Sequence, residues 1–115
     1  MIRTMASLAA AVLWVPLATG FAAWGAERDV QEGARLAAEN CGRCHALGRE
    51  DASPHQAAPP FRDLHKRWPL EALEEALAEG ITTGHPDMPE FRFDPDEIAA
   101  LLAFMKSLSD VNPSR

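Results

Sequence analysis

The chain has 115 residues, with 11 Lys and Arg against 17 Asp and Glu and a formal net charge of −6. That length holds one domain. The acidic balance argues against nucleic acid or an anionic membrane face as a partner, since both repel such a surface.

Residues 1–25 read as an export signal. Arg3 makes the start positive, Met5 to Leu17 is apolar apart from Ser7 and Pro16, and small residues follow. Cleavage after Ala22 or Gly25 suits the small-residue rule. The alternative is an uncleaved membrane anchor, because the run approaches the ~20 apolar residues a span needs. Pro16, Thr19 and Gly20 weaken that reading. Residues 26–115 are then one exported domain, periplasmic in a bacterium. Without Arg3 its charge is near −7. A core this small is marginal, and such folds often add a metal, a cofactor or a disulfide. Cys41 and Cys44, the only cysteines, are three apart and cannot staple distant segments. A cofactor is the better candidate.

The first helical pattern runs from about Val30 to Asn40. Asp29 suits its N-cap, with Glu32 completing a capping box. Val30, Gly33, Ala34, Ala37 and Cys41 share one small-residue face that lets a neighbour approach closely. Residues 46–69 read as loop around Pro59 and Pro60, with a short helical turn at about Arg62 to Lys66. A second helix starts near Pro69, a favoured first-turn residue, and ends at Gly80. Its apolar stripe is Leu70, Leu73, Ala76 and Leu77. A loop from Ile81 to Phe93 holds Gly84, Pro86 and Pro89. The last helix opens on Asp94, Pro95 and Glu97 and buries Ile98, Leu101, Leu102, Phe104, Met105 and Leu108. Asn112 and Pro113 are expected to stop it. No segment alternates as a strand does. The loops are long for their helices, which suggests that something organises them.

Cys41-Gly42-Arg43-Cys44-His45 carries the chemistry. C-x-x-C-H is the attachment signature for c-type haem. Two thiols at this spacing can add to the two porphyrin vinyl groups, and the adjacent histidine is then held beneath the iron. The spacing also forces a tight turn at the end of the first helix. Three rival readings exist. A thiol–disulfide pair normally sits on a βαβ pattern, which is missing. A zinc site would need a fourth ligand from His55, His65 or His85 beside Cys41, Cys44 and His45. The third, chance occurrence, is weakened because the motif uses both cysteines of the chain.

With these residues the chain resembles the class I cytochrome c family in its small bacterial periplasmic form, over about Asp29 to Leu108. Besides the haem motif, the likeness rests on Gly33 in the preceding helix and on the loop His85-Pro86-Asp87-Met88-Pro89-Glu90-Phe91. It rests also on the closing helix, Glu97-Ile98 to Leu108, with its aromatic at Phe104. The resemblance implies an all-α, cytochrome c-like fold: three main helices plus long loops wrapped around one covalent haem c with its iron. It implies His45 and Met88 as the axial ligands. Chemistry agrees, since a soft thioether favours the ferrous state and raises the potential. Pro86 and Pro89 would stiffen that loop. Methionine is otherwise core filler, the preferred reading for Met105. His85 is the alternative ligand and would lower the potential. His55 and His65 read as solvated loop histidines.

The resemblance also implies a proline carbonyl that accepts the other ring N–H of His45. Pro59 is the match, with Pro60 close in register and Phe61 where a large apolar residue is expected. Trp68 and Arg67, and also Arg62, fall where the family places groups near a haem propionate, which an indole or guanidinium can satisfy. Otherwise they are a half-buried aromatic and solvated arginines. Gly33 is expected to bring the first helix close to Phe104 on the last. The aromatic often found four residues after this glycine is Ala37 here, a departure that bears on the helix contact and not on the haem.

The expected role is an electron carrier, not an enzyme: both axial positions are filled, so no substrate site is open, and the protein cycles Fe(II) and Fe(III). The expected partners are redox proteins with a basic docking patch, although solubility alone would account for the acidic surface. A monomer is expected, with membrane contact only if the N-terminal segment stays uncleaved. Two other readings are a ligand-binding or sensing haem protein with a labile Met88, and a haem subunit docked on a dehydrogenase or oxidase.

Overall fold

The computed structural model describes residues 21–80 and 85–109, with side chains from Gly25 onward. Of residues 1–25, read from the sequence as an export signal, those up to residue 20 lie outside the described residues, and the last five fall within α1. Four helices follow in chain order: α1 Phe21–Asn40, α2 Phe61–Arg67, α3 Leu70–Glu79 and α4 Pro95–Leu108. Among the described residues there is no strand. The architecture is the expected all-α one, with α2 as the short extra helix. None of these helices is long and apolar enough to cross a membrane.

Two helix ends differ from expectation. α1 continues upstream to Phe21, so Asp29 lies inside it and no capping box forms there. Ala26, Glu27 and Arg28 are good helix formers and leave nothing to break the helix at Asp29. Glu32 instead accepts from Arg35, whose guanidinium also reaches Glu39. At the other end α4 stops at Leu108, before Asn112 and Pro113, which lie outside the described residues. Ser109 is extended, its N–H bonds the Met105 carbonyl, and its hydroxyl bonds the Lys106 carbonyl. A serine hydroxyl that satisfies a last-turn carbonyl competes with helix continuation.

The other ends follow their residues. α3 has Pro69 as its N-cap, and Gly80 closes it at φ 100°, a conformation that favours glycine. α4 opens on a capping box, with the Asp94 N–H donating to Glu97 at 3.0 Å.

α4 is the hub of the fold: α1, α2 and α3 all pack on it, α1 most extensively. Ile98, Leu101, Phe104, Met105 and Leu108 are buried there against Leu36, Ala37, Phe61, Leu64, Leu73 and Leu77. The α1–α4 contact is made without the aromatic that Ala37 replaces, because Ala37 is fully buried and Gly33 is closer still. A Cβ at Gly33 would meet the Ala100 carbonyl oxygen first, its carbon at 2.6 Å and Phe104 Cβ at 2.8 Å. Leu36 and Ala100 also join this core, although neither belongs to the stripes read from the sequence.

Gly33→Ala tests this crossing. The gain in helix propensity is about 1 kcal/mol. Forcing a methyl into backbone costs about 3 kcal/mol, the upper range of overpacking. The variant should lose about 2 kcal/mol net, read from the urea midpoint; a midpoint at or above the parent's would show that the helices separate freely.

Candidate functional site

The end of α1 turns sharply through the cysteine motif. The N–H groups of Cys41 and Gly42 both reach the Ala37 carbonyl, at 2.8 and 2.9 Å. The N–H groups of Cys44 and His45 both reach the Cys41 carbonyl, at 3.1 and 2.9 Å. This winding brings both thiols and the His45 ring to the wall of one cavity. Burial in that apolar surrounding pushes the Cys41 thiol up to about 11. A thiol–disulfide catalyst needs the opposite shift.

The loop after the motif fixes the His45 ring. His45 Nδ1 donates to the Pro59 carbonyl at 2.7 Å. Since a carbonyl only accepts, Nδ1 carries a proton, which leaves Nε2 as the ring nitrogen turned toward a metal. Pro60 has a different task as the N-cap of α2. Phe61 packs its ring 5.5 Å from the His45 ring and 6.3 Å from Phe104, tying the histidine to the core. The loop is stitched to itself at the same place: the Phe61 N–H bonds the Ala46 carbonyl, and the Ala46 N–H bonds the Ser53 hydroxyl, both at 3.0 Å.

Met88 reaches the same cavity from the loop between α3 and α4, and so does His85. The Met88 N–H closes a turn on the His85 carbonyl at 3.2 Å. The returning chain is tied to α3 by Phe93 N–H to the Leu77 carbonyl, 3.4 Å, and by Arg92 to the Glu79 carbonyl, 3.1 Å. His55 also lines the cavity, and its Nε2 lies 3.0 Å from Asp87 Oδ2. His55 is a loop histidine, as expected, with its side chain one-third exposed; the fold of residues 46–60 brings it to the cavity edge and to a carboxylate 32 positions away. His65 sits on α2 with Nδ1 buried and does not line the cavity.

The cavity measures about 710 Å³, within the usual range for small-molecule sites. Leu73, Leu77, Leu101 and Met105 form much of its apolar wall. From the sequence these four read as core. Their helical stripes were visible, but a stripe does not say whether its neighbour is protein or ligand. Arg67 and Trp68 stand at the cavity, Trp68 with 46 % of its surface exposed. Arg62 does not line it; its guanidinium bonds the carbonyls of Asp51 at 2.8 Å and Gly48 at 3.2 Å. It braces the 48–51 turn.

Two thiols spaced to bond porphyrin vinyl groups, with an imidazole and a thioether as possible iron donors, line one apolar cavity, a set that fits a c-type haem. Among the described residues no group of three or more His, Cys, Asp or Glu is arranged to hold a metal ion by itself, as the zinc reading requires. Site and fold together define a helical protein built to enclose a covalently held tetrapyrrole.

The chain belongs to the cytochrome c family, whose model matches residues 30–109. It is 29% identical to cytochrome c6 of Picosynechococcus sp. (strain ATCC 27264 / PCC 7002 / PR-6), over 96% of this chain and 97% of that protein. It is 37% identical over 83 residues to the cbb3-type cytochrome c oxidase subunit FixP of Bradyrhizobium sp. (strain ORS 278). That match takes in 70% of this chain and spans only 28% of FixP. No solved structure matches significantly. Membership implies covalently bound haem c with its iron, and Cys41, Cys44 and His45 fit the attachment motif. The chemistry of the domain is haem-based electron transfer.

Phe61→Ala should unfasten the His45 ring and open a void against Phe104. The expected loss is about 3 kcal/mol, at the low end for a buried phenylalanine because one side faces the cavity. A denaturation midpoint within error of the parent's would remove Phe61 from the histidine's support.

Proposed function

We propose that this chain is an exported, single-haem electron carrier with His45 and Met88 as axial ligands. Haem c supplies the one-electron step, iron alternating between Fe(II) and Fe(III). Cys41 and Cys44 would tether it by thioether bonds to its two vinyl groups. His45 ligates through Nε2, held in plane by the Pro59 carbonyl and the Phe61 ring. Met88 ligates through sulfur from a loop stiffened by Pro86 and Pro89. The apolar wall from α3 and α4 excludes water, keeping charge reorganisation small and favouring the ferrous state. Arg67 and Trp68 at the cavity meet the propionates. The single observation that supports this reading most is one cavity lined by both motif thiols, His45 with Nδ1 engaged, and Met88.

Residues 1–25 direct export to the periplasm, and the domain begins at residue 26. The partners are redox proteins with a basic patch, met by an acidic surface that includes the exposed Glu71, Glu74, Glu75 and Glu79 of α3, and the chain works as a monomer. A second reading follows from FixP, named as an oxidase subunit: the chain would serve as a docked haem module of an oxidase. Co-purification with such a complex in fixed ratio would favour it over free diffusion.

Optical spectra of the oxidised and reduced protein test the haem type, its attachment and its axial sulfur together. Met88→Ala should keep haem attached, lose the far-red sulfur–iron band and lower the potential by on the order of 0.1 V, a fraction of the span axial ligation commands. Retention of that band would assign the sulfur elsewhere. Electron exchange with a basic partner should slow as salt rises from about 0.01 to 0.3 M, as the Debye length falls below about 10 Å; salt-independent exchange would remove the acidic face from docking.

A further inference from the structure

His55 and Asp87 join the 46–60 loop to the loop that carries Met88. His55 belongs to the segment that positions His45. Its N–H bonds the Cys44 carbonyl at 3.1 Å, and its own carbonyl accepts from Ala58 at 3.0 Å, one residue before Pro59. Asp87 immediately precedes Met88. Across the cavity edge, His55 Nε2 lies 3.0 Å from Asp87 Oδ2.

The hydrogen bonds settle the ring's state. The Ala57 N–H donates to His55 Nδ1 at 3.2 Å, so Nδ1 accepts and Nε2 carries the proton given to Asp87. The contact therefore works with a neutral ring. The His85 ring meets the His55 ring edge-on at 5.5 Å, and His85 Nδ1 accepts from the Asp87 N–H at 3.3 Å. His55, His85 and Asp87 thus lie against one another, all three on the cavity. The ties of Arg92 and Phe93 run to α3 at the far end of the methionine loop. Near Met88, the His55–Asp87 bond leads across to the histidine side.

We propose that His55 and Asp87 form a clasp that holds the Met88 loop closed over the iron, making them positioning residues that set how readily the sixth ligand is displaced. The proposal rests on Met88 being that ligand. The pair is partly exposed, 33% and 63% by side chain, so its strength is that of a surface contact. Its loss changes the closed–open balance by about two- to fivefold. A clasp of this strength tunes ligand lability without fixing it, as in a carrier whose loop yields to an added ligand.

The test is a titration of the ferric holoprotein with imidazole, following the sulfur–iron band. His55→Ala and Asp87→Ala should each tighten imidazole binding about two- to fivefold. The double variant should go no further than either single one, as two halves of one contact do. Asp87→Asn keeps an acceptor oxygen for the Nε2–H and should behave like the parent. Asp87 lies on an exposed turn, so its variants keep the test decisive even if His55→Ala disturbs the 46–60 loop. Unchanged imidazole affinity in Asp87→Ala, or additive effects in the double variant, would overturn the clasp. A parent lacking the sulfur–iron band would overturn the Met88 ligation beneath it, and the clasp with it.

Discussion

Gly33 on α1 lies against the backbone of Ala100 on α4, nearer than any side chain would allow. Much else in the molecule depends on that approach. It sets α1 across α4, and α1 ends in the turn that presents Cys41, Cys44 and His45. Next to that contact on α4, Leu101 and, a turn further on, Met105 serve both the core and the cavity wall. A glycine and a fully buried alanine at Ala37 thus decide where the haem motif stands relative to the wall it faces. Leu36, Phe104 and Leu108 fill the space around the crossing. Close packing there is as costly to loosen as to tighten.

The second constraint acts on the loops. Residues 46–60 contain no regular helix, yet their polar groups are well used. Ala46 is bonded on both sides, Arg62 braces the 48–51 turn, and Arg49 reaches the Ser107 carbonyl on α4 at 2.7 Å. These contacts carry the Pro59 carbonyl to His45 Nδ1. A ring held in this way is oriented before any metal arrives, which lowers the entropy lost on ligation.

The two sides of the cavity are built differently, and that difference suits the chemistry. The thiol and imidazole side is wound on the end of a helix and stitched through backbone hydrogen bonds. The Met88 side hangs on a loop tied to α3 through Leu77 and Glu79. Under the proposed ligation, iron would have one ligand fixed by its covalent neighbour and one, the thioether, held by loop contacts. Local stability is expected to follow the same division, since loop contacts open at lower cost than core ones.

The helical class, the cofactor and most helix ends are legible in the chain alone. Each rests on residues adjacent in the chain: Cys41 to His45 for haem, the stripes of α3 and α4 for the core, Gly80 and Asp94 for their caps. Adjacent residues cannot report what other segments bring to them. Asp29 and Glu32 have the spacing of a capping box, yet the helix runs through them, because a cap needs a break upstream that Ala26 to Arg28 do not provide. Arg62 has the chemistry to meet a propionate, yet the fold hands it the carbonyls of a turn. His55 lies 32 positions from Asp87, and their pairing exists only once two loops meet at one cavity edge. Leu73, Leu77, Leu101 and Met105 were legible as apolar but not as pocket wall. Periodicity records that a face is kept from water; tertiary packing decides whether a neighbouring helix or a bound cofactor keeps it so.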